Sequence, residues 1–162
     1  MKYSMEVETA GEKFGIDKAI IYAVINVESR FKKNAKSNRG AIGLMQIMPS
    51  TAEEMAKKSN FGEYDLLDES DNITIGTCYL ATLLSRFEDL KVALCAYNAG
   101  PAKVEKWLHS ADFSDDGKTL KKIPFPETNN YIKKINKNLK YYSKKINTKL
   151  VFYSYLSYFC EF

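Results

Sequence analysis

The sequence is poor in the residues that build metal sites and disulfide-stabilised domains. Its 162 residues include one histidine, His109, and three cysteines, Cys78, Cys95 and Cys160, with no Cys-x-x-Cys pair. A zinc site or a disulfide framework needs more such residues at regular spacing. We therefore expect no metal and no cofactor. Cys78 and Cys95 lie in apolar helical segments and are expected to be small core residues.

Proline, glycine and long apolar runs are also scarce. The sequence has four prolines, eight glycines and 45% hydrophobic residues. This composition predicts a folded domain with a substantial hydrophobic core. No run reaches the roughly 18 apolar residues of a membrane span, and residues 1–15 lack the apolar segment of a signal peptide. We predict no transmembrane segment. Either the chain stays inside the cell or an export segment is missing from this sequence.

The pattern along the chain predicts a mostly α domain over residues 1–147. A short helix over 4–14 should stop at Gly15, and Asp17 is a good N-cap for a second helix that runs to about Ser29. This second helix is apolar nearly all round, which is typical of a helix buried in the middle of a domain. Ser50 should open a third helix with a capping box, and Asp71 should cap a fourth.

The second half continues in the same way, without βαβ alternation, repeats or a linker. Small apolar residues at 92–97 predict the start of a helix that ends at Asn98-Ala99-Gly100, and Pro101 suits the first turn of the next. A long basic helix should run from Glu127 to about Lys145. Residues 148–162 form an aromatic tail of unknown role.

Glu28 is the polar residue that interrupts the buried second helix near its C-terminal end. Burial disfavours the charged form of a carboxyl group, and so does the negative end of the helix dipole. Both effects favour a group that is still protonated near neutral pH, as a general acid requires. The alternative is an ordinary surface glutamate in the last turn of a helix, and periodicity alone leaves both interpretations open.

No second acid accompanies Glu28, because residues 29–52 contain neither Asp nor Glu. Hydrolytic glycosidases usually pair two carboxylates. The loop after Glu28 instead carries amides, hydroxyls and basic groups, which bind sugars but cannot act as a carboxylate base. A single acid suits a reaction whose nucleophile belongs to the substrate.

Four motifs in order give the chain a resemblance to the lytic transglycosylases of the soluble-Slt catalytic-domain type. They are Glu28-Ser29, GLMQ at 43–46, AYNAG at 96–100, and IPFPET at 123–128 with Tyr131. The resemblance runs from about residue 3 to residue 142. It implies a single lysozyme-like helical domain whose buried central helix carries the catalytic Glu28.

The same resemblance implies cleavage of the β-1,4 bond between N-acetylmuramic acid and N-acetylglucosamine in peptidoglycan, without water and with a 1,6-anhydro product. Glu28 would act first as the acid and then as the base. Met45 and Met48 could line the groove or belong to the core, Asn98 could cap its helix, and Glu127 could be structural. The residues that the resemblance assigns to substrate binding are Ser37, Met45, Gln46, Met48, Tyr97, Asn98, Glu127 and Tyr131. The glycines at 40, 43 and 100 are expected to shape the backbone.

Other functions are compatible with parts of the same pattern. A goose-type lysozyme would hydrolyse the same bond with water and would need a second carboxylate, for which Asp65, Asp68 and Asp71 are candidates. A non-catalytic peptidoglycan-binding module would not need Glu28. The net charge of +4 favours anionic partners only weakly, and we expect peptidoglycan strands as partner, no nucleic acid, and a monomer. The expected location is the bacterial cell envelope or the extracellular space.

Overall fold

A computed structural model describes residues 1–146, and the predicted aromatic tail at 148–162 lies outside the described residues. The predicted mostly α fold is confirmed: within this range the regular elements are helices, and a few isolated β-bridges occur in a loop. None of these helices combines the length and the apolar character that crossing a membrane requires. The helices are α1 (Ser4–Phe14), α2 (Lys18–Ser29), α3 (Pro49–Lys58), α4 (Glu69–Phe87), α5 (Leu90–Ala99), α6 (Pro101–Leu108) and α7 (Pro126–Ile146).

The helices fall into two compact units, residues 1–81 and residues 82 onward, and the division lies within α4. In the first unit α1 packs on α2. Gly15 ends α1 in the left-handed conformation, and the Asp17 carboxylate accepts a hydrogen bond of 2.6 Å from the Ala19 N–H at the start of α2. Both predictions are confirmed, as is the burial of α2, because the whole segment from residue 19 to residue 25 is buried.

Two predicted helix starts in this unit are wrong. Met48 rather than Ser50 is the N-cap of α3, without a side-chain cap, because Pro49 already occupies the first turn. Helix α4 begins at Glu69, before Asp71, and Asp68 accepts the N–H groups of Ser70 and Asp71. Each start lies one to three residues earlier than the capping pattern indicated.

The second unit is built on α5, which packs against α6 and α7. Gly100 lies between α5 and α6 with a φ of 93°, and Pro101 occupies the first turn of α6 as predicted. Cys78 in α4 and Cys95 in α5 are buried free cysteines, which confirms that they are core residues. Burial raises the pKa of the Cys95 thiol to about 12, so this thiol stays protonated. His109 is exposed, and its Nδ1 lies 2.7 Å from the Glu105 carbonyl oxygen.

Asp89 both caps a helix and is buried, and these two features have opposite effects on the pKa of its carboxyl group. It is the N-cap of α5 and accepts a 2.7 Å hydrogen bond from the Val92 N–H, but it is only 9% exposed, and this burial raises its pKa. A raised folded-state pKa means that ionisation costs stability above the usual carboxyl pKa.

We expect Asp89→Asn, which keeps the cap, to stabilise the protein at pH 7 but not below pH ~3.9. Asp89→Ala should cost about 1 kcal/mol. Urea unfolding at both pH values measures the difference, and an equal gain at both would contradict the interpretation.

Candidate active site

Glu28 lies in the last turn of α2, half-buried, one residue before the end of the helix. The chain then turns sharply, because Arg30 and Phe31 both have left-handed backbones with φ values of 52° and 62°. Two consecutive non-glycine residues in this conformation are strained, and such strain persists only where the surroundings hold it in place. Part of this support is visible: the Phe31 ring lies 6.2 Å from the Tyr22 ring on α2, centroid to centroid. The backbone after the acid is therefore fixed.

The loop that follows folds back on itself around Ile42. Residue 42 forms antiparallel bridges with both Lys36 and Ile47. Ser37 is half-buried, and its hydroxyl oxygen accepts a 2.9 Å hydrogen bond from the Ala41 N–H. The basic loop is thus an ordered hairpin-like segment rather than a loose connection.

Gln46 closes this segment in a left-handed conformation with a φ of 50°. Its side-chain Nε2 donates to the carbonyl oxygens of Ala35 and Gly43, at 3.1 and 2.9 Å. Both N–H groups of the amide are used in this way, while no described residue donates to its Oε1. Gln46 therefore holds the two ends of the loop together and has one acceptor oxygen left for a ligand.

Asn72 on α4 anchors the GLMQ turn, and the sequence reasoning missed it. Its side chain is 1% exposed and accepts a 2.8 Å hydrogen bond from the Met45 N–H. Its Nδ2 donates to the carbonyl oxygens of Ile42 and Leu66, at 3.0 and 2.9 Å. Gly43, with a φ of 82°, lies so close that a Cβ there would be 2.1 Å from the Asn72 amide. The only hint in the sequence was a polar residue among the apolar positions of a helix.

The two methionines of the candidate set have different environments. Met45 is 0% exposed, and a Cβ on Gly76 would lie 2.5 Å from its sulfur. It therefore takes the core role that the sequence left open, and its side chain offers no surface to a ligand. Met48 is 38% exposed and can contact a ligand.

The AYN and fourth motifs meet in the second unit. The Asn98 side-chain oxygen accepts a 2.9 Å hydrogen bond from the Thr128 hydroxyl, which joins α5 to α7. Asn98 thus links two helices, and the end of α5 is capped by the Gly100 N–H instead. Thr128, 2% exposed, was part of the fourth motif but was not predicted as a site residue.

The other members of these two motifs differ in exposure. Tyr97 is half-buried, Tyr131 is buried and Glu127 is exposed. Glu127 lies in the first turn of α7, where a carboxylate interacts favourably with the helix dipole. This position favours the structural role for Glu127.

The three aspartates that could serve as a second carboxylate accept hydrogen bonds from nearby backbone N–H groups. Asp65 accepts the Leu67 N–H, Asp68 caps α4, and Asp71 accepts the Asp65 N–H. Glu69 pairs with Lys33 of the basic loop at 2.9 Å, which lowers the pKa of Glu69 and raises that of Lys33. In the part of the chain that the structure describes, no three His, Cys, Asp or Glu residues are grouped to hold a metal ion.

The chain has a mostly helical fold in which the buried helix α2 carries a glutamate in its last turn. Structural comparison places it among the lysozyme-like helical proteins. Its structure aligns with lytic transglycosylase Slt from Pseudomonas aeruginosa, an inactive mutant, with a TM-score of 0.82 and 30% identity over 93% of this chain and 25% of that one. The 70 kDa soluble lytic transglycosylase of Escherichia coli aligns with a TM-score of 0.78 and 32% identity over 89% of this chain and 24% of that one.

The chain belongs to the Transglycosylase SLT domain family, whose sequence profile matches residues 5–120. It is also 39% identical, over 126 residues, to the soluble lytic murein transglycosylase of Salmonella typhimurium, a match that covers 74% of this chain and 20% of that protein. The chain therefore spans about a fifth of the length of that relative. The family match ends before α7, but the structural alignment covers 93% of the chain and so must extend into this helix. The predicted family is confirmed.

Proposed function

We propose that the protein is a peptidoglycan lytic transglycosylase that cleaves the β-1,4 bond between N-acetylmuramic acid and N-acetylglucosamine to give a 1,6-anhydro product. The observation that carries the proposal is the position of Glu28. It is half-buried at the end of the central helix, inside the region that matches the family, and is the only Asp or Glu between Asp17 and Glu53. The names of the relatives, soluble lytic murein transglycosylases, support the same activity.

The reaction needs one carboxyl group in two roles. Glu28 donates its proton to the glycosidic oxygen as the bond between that oxygen and C1 of the muramoyl residue breaks. The resulting carboxylate then takes the proton of the C6 hydroxyl of the same residue, and the C6 oxygen forms a new bond to C1. Glu28 ends the cycle protonated, and no water is consumed.

The candidate binding residues supply groups that suit sugar hydroxyls and acetamido groups. In the first unit these are the Ser37 hydroxyl, the Gln46 Oε1 and the exposed surface of Met48. In the second unit, the Asn98 oxygen is bound to Thr128, which leaves its Nδ2 as the atom to donate to a ligand. We assign Tyr97 and Tyr131 to the glycan-binding surface on the strength of their motifs, and we expect the protein to act as a monomer at the cell envelope or outside the cell.

Hydrolysis by a goose-type lysozyme mechanism is the competing reaction, and the local roles of Asp65, Asp68 and Asp71 argue against it. Mass spectrometry of the soluble products from purified sacculi separates the two reactions. We expect muropeptides that are lighter than the hydrolysis products by one water. Products with a free reducing end would instead support the lysozyme mechanism, and glycan binding without release of any product would support a binding module.

A further inference from the structure

A basic groove with a volume of about 860 Å³ lies in the second unit, on a face that none of the candidate site residues lines. One wall is α7, from which Asn129, Lys133, Asn136 and Lys140 follow at steps of three and four residues and so share a helix face. At about 100° per residue, these positions lie roughly 140–200° round the helix from Tyr131. The groove is therefore separate from the motif face of α7.

The groove has a strong excess of positive charge. Residues 118–145 contain nine lysines and one acid, Glu127. Two lining lysines are used within the protein, since the Lys91 ammonium donates to the Leu120 carbonyl oxygen and Lys121 pairs with Asp115. The other four form no ion pair with a residue among 1–146. These are Lys122, Lys133, Lys137 and Lys140.

The spacing of these charges suits an extended ligand with several anionic groups. Lys133, Lys137 and Lys140 extend over about 10.5 Å of helix axis at 1.5 Å per residue. Lys122 lies on the loop before α7, which also contributes to the lining. Ammonium groups at such intervals can pair with successive carboxylates along a chain.

The remaining lining residues indicate what else the ligand carries. Ile123 and Ile132 provide apolar surface, and Asn129 and Asn136 provide amides. The Asn136 Oδ1 is buried and accepts no hydrogen bond from any residue that the structure describes. A buried acceptor without a donor is costly, and a turn of the Asn136 amide towards the groove would let an N–H group of a ligand satisfy it. Among residues 1–146, no aromatic side chain lines the groove for base stacking.

We propose that this groove binds the carboxylate-bearing peptide stems of peptidoglycan. The stem combines backbone N–H groups, alanine methyl groups and several carboxylates, and these correspond to the amides, isoleucines and lysines of the groove. A phosphodiester polymer would pair with the lysines alone. A glycan without stems keeps the lactyl carboxylate of each muramoyl residue but lacks the N–H groups, the methyl groups and the further carboxylates of the stem. This inference rests on the proposed function, which names peptidoglycan as the substrate, and it adds a second contact with the polymer.

The test compares two charge reversals on the same helix. Lys133→Glu with Lys137→Glu changes the groove, whereas Lys134→Glu with Lys144→Glu changes exposed lysines outside its lining. Each variant replaces two lysines and so lowers the formal net charge from +4 by four, to zero. The probe is a synthetic stem pentapeptide with free carboxylates, titrated into the full chain and followed by amide chemical shifts. Co-sedimentation with intact sacculi and with sacculi stripped of peptide by an amidase provides the second measurement.

We expect the groove variant to bind the peptide about tenfold more weakly than the control, with a difference that shrinks at high salt. On intact sacculi the groove variant should sediment less than the control. On stripped glycan, which keeps only the lactyl carboxylates, this difference should be smaller, and an equal or larger difference there would contradict stem binding. Equal peptide affinity of the two variants would overturn the proposal, and so would stronger competition by a phosphodiester polymer than by the peptide. Release of anhydro products by the wild type is measured separately, so that a failure of the groove proposal leaves the proposed function intact.

Discussion

Glu28→Gln is expected to lower the rate of glycan release from sacculi by about a thousandfold or more, since general acid catalysis typically contributes factors of this size and here the same group also acts as the base. Glutamine has the shape of glutamate but cannot donate an acidic proton or accept one. Glu28 is half-buried at the end of a fully packed helix, so the isosteric change leaves the packing of α2 as it is. The melting temperature should therefore change little while turnover is lost.

The control for this change is Glu54→Gln on α3. Glu54 is exposed, and replacing it by glutamine makes the same chemical change outside the candidate site. Both variants and the wild type are incubated with the same sacculi, and products are quantified by mass spectrometry alongside binding by co-sedimentation. Retained binding with lost turnover is the expected pattern for Glu28→Gln. Product release within tenfold of the wild type would exclude Glu28 as the acid.

A shorter carboxylate tests whether position matters as much as chemistry. Glu28→Asp keeps the acid but withdraws it by one methylene, and a displacement of about 1 Å can cost roughly a hundredfold in rate. An intermediate rate between those of the wild type and Glu28→Gln is expected. The sequence predicted the residue type and its helix, whereas the strained turn at Arg30 and Phe31 that fixes the chain after it became visible only in the structure.

Local features of the fold were predicted well, because each depends on a few neighbouring residues. Three helix ends were predicted correctly: α1 ends at Gly15, Asp17 caps α2, and α6 begins at Pro101. Each of them depends on interactions within one helical turn. The positive φ values of Gly40, Gly43 and Gly100 likewise confirm that these glycines shape the backbone. Where two capping patterns competed, as at Met48-Pro49 against Ser50, the sequence rule selected the wrong one, since a proline at the first position can start a helix without a side-chain cap.

The contacts that shape the candidate site join residues far apart in the chain, and sequence patterns do not show these pairings. Asn98 and Thr128 are 30 residues apart, and Asn72 and Met45 are 27 apart. The sequence motifs assigned Asn98 and Met45 to the site but assigned no role to Thr128, and they did not include Asn72. The partners are buried polar residues on helices, which a single sequence does not distinguish from ordinary polar positions until the fold shows what they bind.

Asn72→Ala should therefore have a large effect although Asn72 is outside every predicted site. The substitution removes three hydrogen bonds. The Met45 N–H and the Leu66 carbonyl oxygen lose the buried amide that they bind, whereas the Ile42 carbonyl oxygen keeps the Ile47 N–H. Each buried group left unsatisfied costs about 1–3 kcal/mol, so we expect a loss of about 2 kcal/mol or more in the free energy of unfolding. Activity should fall too, because the GLMQ turn that carries Gln46 is held by these bonds.

The matched control is Asn130→Ala on α7, where the asparagine is exposed. This change should alter stability by no more than about 0.5 kcal/mol. Urea unfolding measures both variants, and a comparable effect of the two would mean that the Asn72 network contributes little to stability.

Asn72→Asp separates the roles of the two side-chain atoms. A carboxylate can still accept the Met45 N–H, but it cannot donate to the two carbonyl oxygens and would face them as a buried negative charge. Desolvation and the carbonyl dipoles both favour the protonated form, so the folded-state pKa of this aspartate should lie above the unfolded value of about 3.9. The variant should then be most stable relative to wild type below that value and lose stability as the pH rises towards neutrality. A stability difference that does not change between acid and neutral pH would show that the carbonyl contacts do not restrain this side chain, and the loss in Asn72→Ala would then have to come from the Met45 contact alone.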